Sequence, residues 1–208
     1  MNDTLTNKLP KLLKERITHS RIFAGLVLLV FLFNAPASQN GGLTAMLFSW
    51  AGLAFVILGA FGRAYCSLFI GGRKNNELVR EGPFSVVRNP LYVFSFIAVV
   101  GIGLQSGVLL LLLVLMGAFV FYYPVVVKKE EAFLVQKFGA PYETYIKEVP
   151  RWIPDMKLWA EPETTISRPK FVRKTFMDAS IFFVPMLFFQ AHAALHANGI
   201  LPTWFNLP

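Results

Sequence analysis

The sequence predicts an all-α integral membrane protein, a helical bundle with about five transmembrane helices and its polar segments at the cytoplasmic end. Three observations predict it. Hydrophobic residues make up 55% of the 208 positions and charged ones only 15%, with a mean hydropathy of +0.52, whereas soluble domains carry roughly 25% charged residues. The apolar residues gather into runs near the length of about 20 helical residues that a bilayer core requires. The lysines and arginines, twenty in all, flank those runs on alternate sides only.

The elements follow in order. Ile22 to Phe33 is a short apolar run extended by Asn34, Ala35 and Pro36, so the first span is tilted or completed by its flanks. Its end, FLFNAPASQ, faintly resembles a cleavage site, but the charged stretch of about 20 residues before it is unlike a signal peptide. Gly41 to Gly62 carries no charge and forms a second span, with a continuation past Arg63 to Ile70 left open; Gly71 and Gly72 stop it. Leu91 to Leu104 and Val108 to Val127 are spans three and four, and Gln105, Ser106 and Gly107 between them leave room only for a tight helical hairpin. Met177 to Leu195 is the last apolar stretch, which contains Pro185 and either spans or dips into the bilayer. The chain reads as a single membrane domain over 1–208, with a core at about 52–155 and a polar segment plus last helix at 156–208.

Charge orients the bundle. Lysine and arginine occur at Lys8 to Arg21, between Arg63 and Arg88, and between Lys128 and Lys174, and are absent from the segments between spans one and two, between spans three and four, and after Leu195. That asymmetry places the N-terminus and both long polar segments, 71–90 and 128–176, in the cytoplasm. The net charge of +8 is thereby explained by topology, and no basic stripe interleaved with aromatics points to nucleic acid. With the second span ended at Gly62, no charge lies at mid-depth and no internal repeat is visible, which disfavours a transporter. The lone Cys66 excludes an intramolecular disulfide and reads as a packing residue. His192 and His196 share a helix face at a spacing compatible with metal, but no third ligand motif accompanies them, and no metal is expected. Gly59, Gly62, Gly101 and Gly103 read as close-packing positions between helices.

Two constellations carry candidate chemistry. The first, EGPFSVVRNPLY over 81–92, is a loop shaped by two prolines that hold the preceding residues out of the α region. It delivers Arg88, Asn89 and Pro90 to the cytoplasmic mouth, with Tyr92 in the first turn of span three, where free N–H groups attract anions. The second is KKEE over 128–131, followed by FGAPYETYI and VPRWIP. Glu130 and Glu131 point about 100° apart, so one can face the interior while the other meets lysines. Two glutamates at a helix C-terminus oppose the helix dipole, which favours a functional role over a solvated helix end.

These residues carry a resemblance. GPFSVVRNPLY resembles the arginine-histidine-proline-x-tyrosine motif of the isoprenylcysteine carboxyl methyltransferase and phospholipid N-methyltransferase superfamily, with Phe84 in place of the family tyrosine and Asn89 in place of the histidine. The paired glutamates after a long apolar helix, with FGAPYETY and VPRWIP beyond, resemble the family's second region. The resemblance covers about residues 52–155 and implies a multi-span enzyme that encloses S-adenosylmethionine. Carried over position by position, Arg88, Asn89, Pro90, Tyr92, Glu130 and Glu131 would bind the cofactor, with Glu131 and Arg88 at opposite ends of its methionine moiety. Arg151 and Glu131 would serve catalysis, Arg151 near the acceptor. Asparagine can donate and accept hydrogen bonds but cannot act as a base near neutral pH, so a histidine base is missing here.

Methyl transfer suits what the sequence lacks, since an activated methyl needs alignment and exclusion of water rather than a catalytic triad. The implied partner is a lipid or lipophilic acceptor in the membrane, with a prenylated cysteine carboxylate, a phospholipid amine and a small hydrophobic thiol or phenol all open. An NADPH-dependent reductase of the sterol type and a non-catalytic membrane scaffold are the competing readings; Arg88-Asn89-Pro90 and the double glutamate argue against the reductase.

Overall fold

A computed structural model describes Gly25, residues 42–165 and residues 167–200. The expected first span, Ile22 to Phe33, therefore lies outside the described residues, apart from Gly25. The described chain is helical throughout, with no strand. Its elements are α1 (Gly42–Ile70), the single turn α2 (Pro83–Val86), α3 (Pro90–Ser106), α4 (Leu109–Phe138), α5 (Ala140–Glu148), a 3-10 turn (Met156–Leu158), α6 (Pro169–Ser180) and α7 (Phe183–Ala197). Three helical stretches, α1, α4 and the α6–α7 pair, are long and apolar enough to cross a membrane, and α3 is a shorter apolar helix. The protein is a membrane helical bundle.

Small residues set how its central pair packs. A Cβ built on Gly59 would stand 2.6 Å from Ala98 Cβ and from the Phe94 carbonyl oxygen, and one on Gly52 would stand 2.7 Å from the Gly101 carbonyl oxygen. On Gly62 it would enter the Phe94 ring. The backbones of α1 and α3 thus approach more closely than any side chain permits, the use of small residues expected where lipid supplies no hydrophobic drive for helix association. Val56 and Ala98 are fully buried in that seam.

The α3–α4 hairpin is as tight as the sequence requires. Gly107 takes φ 65°, a left-handed conformation that glycine adopts without strain, and its N–H bonds the Leu104 carbonyl. Gly103 lies against the Leu112 backbone. Pro124 inside α4 does not end the helix, which runs 30 residues to Phe138 and carries Glu130 and Glu131 into the polar end. Neighbouring helices in a membrane bundle compensate such a proline.

Two elements differ from the sequence expectation. Helix α1 runs without a break from Gly42 through Arg63 to Ile70, so a charge does lie inside a membrane helix. Arg63 is accommodated because its Nη1 donates to the Leu91 carbonyl oxygen at 3.1 Å and to Ser95 Oγ, both on α3. The helix of the last apolar stretch starts earlier than its apolar run, at Pro169: α6, which packs along α1, and α7, which packs on α3, follow each other through a turn at Ile181 and Phe182 that keeps right-handed helical backbone.

The two polar segments meet at one end of the bundle. Gly82 N–H donates to Ala160 O at 2.7 Å, Arg88 N–H to Pro150 O at 2.9 Å and Asp155 N–H to Val86 O at 3.0 Å. Tyr145 on α5 closes the junction from beneath, donating its hydroxyl to Phe84 O at 2.6 Å while 2% exposed. Burial pushes the Tyr142 and Tyr145 hydroxyls above the usual phenol range, with neighbouring Glu131 adding to the shift at Tyr142. Both phenols therefore stay protonated at neutral pH, and Tyr145 is the one that donates a hydrogen bond. Tyr145→Phe leaves the Phe84 carbonyl buried without its partner and is expected to cost about 1–3 kcal/mol of stability; an unchanged unfolding midpoint in detergent would show that this bond does not hold the loop.

Candidate active site

Pro83 and Pro90 each start a helix, where a missing N–H costs nothing, and between them Val87 is extended. The short turn α2 and this extended link hold Arg88 against the 150–155 segment. Ser85 locks the turn by donating to Gly82 O and accepting from Ala160 N–H at 3.0 Å. Loop 81–90 is consequently rigid and set by backbone bonds rather than by side chains facing water.

Below this loop lies a cavity of about 420 Å³, within the range of roughly 300–1,000 Å³ typical of small-ligand sites. Its wall includes Arg88, Asn89, Pro90 and Tyr92 from the loop and α3, and Glu130 from α4. Five of the seven sequence-predicted site residues therefore converge on one cavity. Glu131 and Arg151 do not line it. They stand behind it as a support.

The adjacent glutamates divide as their angular separation demands. Glu131 is 4% exposed and accepts from Arg151 through Nη2 at 2.7 Å and Nε at 3.1–3.2 Å, with Asn89 Nδ2 at 3.3 Å and Arg88 Nε at 3.6 Å from its Oε1. One buried carboxylate thus ties α4 to both the loop before α3 and the segment after α5. Asn89 adds to the tie with a 3.4 Å contact to the Arg151 carbonyl. Glu130, on the cavity wall, pairs with Lys74 Nζ at 2.9 Å and accepts the Tyr92 hydroxyl at 3.0 Å. The lysine that meets Glu130 comes from the 71–82 loop and not from the neighbouring Lys128 and Lys129.

Charge in the cavity is therefore of both signs. Arg88 is buried, yet its Nε and Nη1 lack hydrogen-bond partners among the described residues. A buried guanidinium with unused donors is costly unless a ligand completes it. Together with Glu130 it offers a carboxylate receptor and an ammonium receptor on one wall, the pair of charges a zwitterionic amino-acid moiety requires. The aromatic rings of Tyr92, Tyr123 and Phe119 form a cluster on the α3–α4 side, Phe119 stacked on Tyr123 at 3.9 Å between centroids and Tyr92 tilted against Tyr123 at 5.3 Å.

The cavity also recruits residues that the sequence reading did not single out. Arg63 and Tyr123 enter it from α1 and α4, and Lys74 from the loop. The signal for Arg63 was a cation inside a hydrophobic run that continues beyond it. His192 and His196 are buried together on α7 with their Nε2 atoms 3.0 Å apart. No group of three or more metal-ligating side chains occurs among the described residues.

Comparison with known proteins adds an independent line. The sequence model of a family described as phospholipid methyltransferase matches residues 41–141, a range that contains both helices of the hairpin, the 81–92 loop and the paired glutamates. The chain is 30% identical over 199 residues to the nickel-cobalt-cadmium resistance protein NccN of Alcaligenes xylosoxydans xylosoxydans, an alignment covering 95% of this chain and 92% of that protein. It is also 30% identical over 190 residues to the cobalt-zinc-cadmium resistance protein CzcN of Cupriavidus metallidurans, covering 91% and 87% respectively. No solved structure matches the chain at a significant level.

Proposed function

This chain belongs to the phospholipid methyltransferase family, and from that premise we propose that it transfers a methyl group from S-adenosylmethionine to an amphiphilic acceptor in the membrane, a phospholipid amine or a prenylated cysteine carboxylate. The observation that carries the reading is the pairing of Arg88, with its unpartnered buried donors, and Glu130 on the wall of one cavity at the bundle's polar end. Arg88 would hold the cofactor's carboxylate and Glu130 its ammonium, with Lys74 released from Glu130 or retained beside it. Glu131 and Arg151 position that wall instead of touching the cofactor. Asn89 supplies a hydrogen-bonding amide where the family pattern has histidine.

S-adenosylmethionine supplies an electrophilic methyl on a sulfonium, whose carbon–sulfur bond breaks as the acceptor's lone pair forms the new bond, leaving a neutral thioether. The protein's part is alignment and exclusion of water. Tyr92 and Tyr123 put aromatic rings on the cavity wall, with Phe119 packed on Tyr123 beside them, which supports a site able to keep water from the reacting methyl. With the cavity facing the cytoplasm, as the distribution of lysine and arginine supports, soluble cofactor arrives from one side and acceptor from the bilayer.

One assay tests cofactor and orientation together. Labelled S-adenosylmethionine added to inside-out vesicles should label lipid-extractable material, and added to sealed right-side-out vesicles should not. The same cofactor, and not NADPH, should raise the unfolding midpoint of the detergent-solubilised protein. Stabilisation by NADPH alone would turn the reading to a reductase, and labelling from the outer side would reverse the topology.

The acceptor chemistry also fits the resistance for which the relatives are named. An esterified carboxylate or a fully methylated amine no longer offers the charge or lone pair that holds a divalent cation. Vesicles of extracted lipid treated with the active protein should bind less cadmium than untreated ones; equal binding would remove this link while leaving the transferase reading intact.

A further inference from the structure

Arg63 is a cation placed inside a membrane helix, seven residues before the end of α1 at Ile70 and so about 10 Å below it along the axis. Ionisable groups at such depth are expensive and mark function unless paired. Asp178 on α6 acts on Arg63 electrostatically, but only from beyond ion-pair distance. No carboxylate lies within ion-pair distance of Arg63 among the described residues, both of its hydrogen bonds leave from Nη1 toward neutral acceptors on α3, and its Nε has no partner. A guanidinium has five N–H donors, so more than half of its capacity is unspent. Arg63 nevertheless lines the same cavity as Arg88 and Glu130, together with Ser95 and Tyr123.

We propose, resting on the transferase reading above, that Arg63 is the anchor for an oxyanion of the methyl acceptor, the phosphodiester or carboxylate group of a membrane amphiphile. Two arginines share one cavity. Arg88 sits in the loop at the polar end and Arg63 is held against the first turn of α3, bonded to Leu91 and Ser95 on either side of Tyr92. A single zwitterionic cofactor carries one carboxylate and one ammonium, which Arg88 and Glu130 accommodate; a second, partly buried cation on the same cavity, with no carboxylate in ion-pair contact, leaves a place for a second anion. Its depth matches the inner headgroup boundary, where such oxyanions reside, and long basic side chains reach that boundary naturally. Phe182, at the turn between α6 and α7, lies over the guanidinium at 5.7 Å. Arg63 is thus a positioning residue for the acceptor rather than part of the cofactor site.

The test separates acceptor from cofactor. Wild-type protein, Arg63→Gln and Arg63→Lys are purified in detergent. Binding is measured without cofactor for phosphatidylethanolamine, for a farnesylated cysteine carboxylate and for uncharged diacylglycerol, and S-adenosylmethionine binding is measured by calorimetry on the same samples. Arg63→Gln should weaken whichever oxyanion amphiphile the wild type binds by about tenfold or more, leave diacylglycerol unchanged and retain wild-type cofactor affinity. Arg63→Lys should lose less, since it keeps the charge without the planar fork, and it carries the test if the glutamine variant does not fold. The arm that responds tells phosphodiester from carboxylate. Equal amphiphile binding by Arg63→Gln, or by Arg63→Lys alone where only that variant folds, overturns the inference. Selective loss of cofactor affinity also overturns it, by moving Arg63 to the cofactor subsite. If the wild type binds no S-adenosylmethionine while amphiphile binding still requires Arg63, the transferase reading fails and the anion subsite stands.

Discussion

Arg88→Gln is expected to fold normally and to bind S-adenosylmethionine at least about a hundredfold more weakly, because removal of one partner from an enclosed charged contact typically costs about 3–5 kcal/mol. Normal folding follows from the way Glu131 is held. Arg151 alone gives that carboxylate contacts at 2.7 Å, 3.1 Å and 3.2 Å, whereas the Arg88 approach is 3.6 Å. The carboxylate therefore keeps its counter-charge when Arg88 is neutralised. The loop is held by the Arg88 N–H to Pro150 O bond and by Ser85, neither of which depends on the guanidinium. The loss should thus appear in calorimetry and not in the unfolding midpoint. Wild-type cofactor affinity in folded Arg88→Gln would remove this residue from the site.

Glu131→Gln is expected to act the other way. Its carboxylate is the common counter-ion of Arg88 and Arg151, so neutralising it leaves two guanidiniums without their charge partner and loosens α4 from both polar segments. Arg151 stays about one-third exposed and recovers some hydration, which puts the cost near the lower end of the buried-pair range, about 3 kcal/mol of stability. Glu130→Gln provides the contrast. Glu130 is more exposed and pairs with the half-exposed Lys74, a contact worth about 1 kcal/mol or less to stability, yet it faces the cavity. Its substitution should lower cofactor affinity with little change in the unfolding midpoint. Denaturation and calorimetry on both variants decide the matter. If Glu131→Gln unfolds like the wild type while losing affinity, and Glu130→Gln loses none, the roles assigned to the two glutamates are exchanged.

Much of the fold was legible because its determinants are local. Apolar runs mark helices by composition alone, and Gly107 marks the hairpin because only a residue at ease with positive φ closes so short a link. The prolines at Pro83 and Pro90 announce helix starts for the same kind of reason. The glycines read as packing positions are packing positions, since Gly59, Gly62, Gly101 and Gly103 all sit where a Cβ would strike a neighbouring helix. The 81–92 loop was also visible as a candidate, because its two prolines restrict the residues before them; the paired glutamates were visible too, but not for the expected reason, since α4 runs on to Phe138 and places them two turns inside the helix and not at its C-terminus.

The sequence by itself determined that this chain is a helical membrane protein with its polar segments at one end, and which short stretches carry the candidate chemistry. Only the tertiary structure decided which glutamate faces the cavity and which one supports it. Helical geometry separates Glu130 from Glu131 by about 100°, but the absolute phase depends on what packs against α4, and that comes from Arg151, Asn89 and Lys74, which lie between 20 and 56 positions away in the chain. Only the tertiary structure, likewise, made Arg63 part of the site. In the sequence it looks like the end of a span, because a charge next to an apolar run is cheapest at the interface. It stays inside the helix because Leu91 and Ser95 of a different helix supply acceptors within the bilayer's low dielectric, where a hydrogen bond gained from a neighbour outweighs the water forgone.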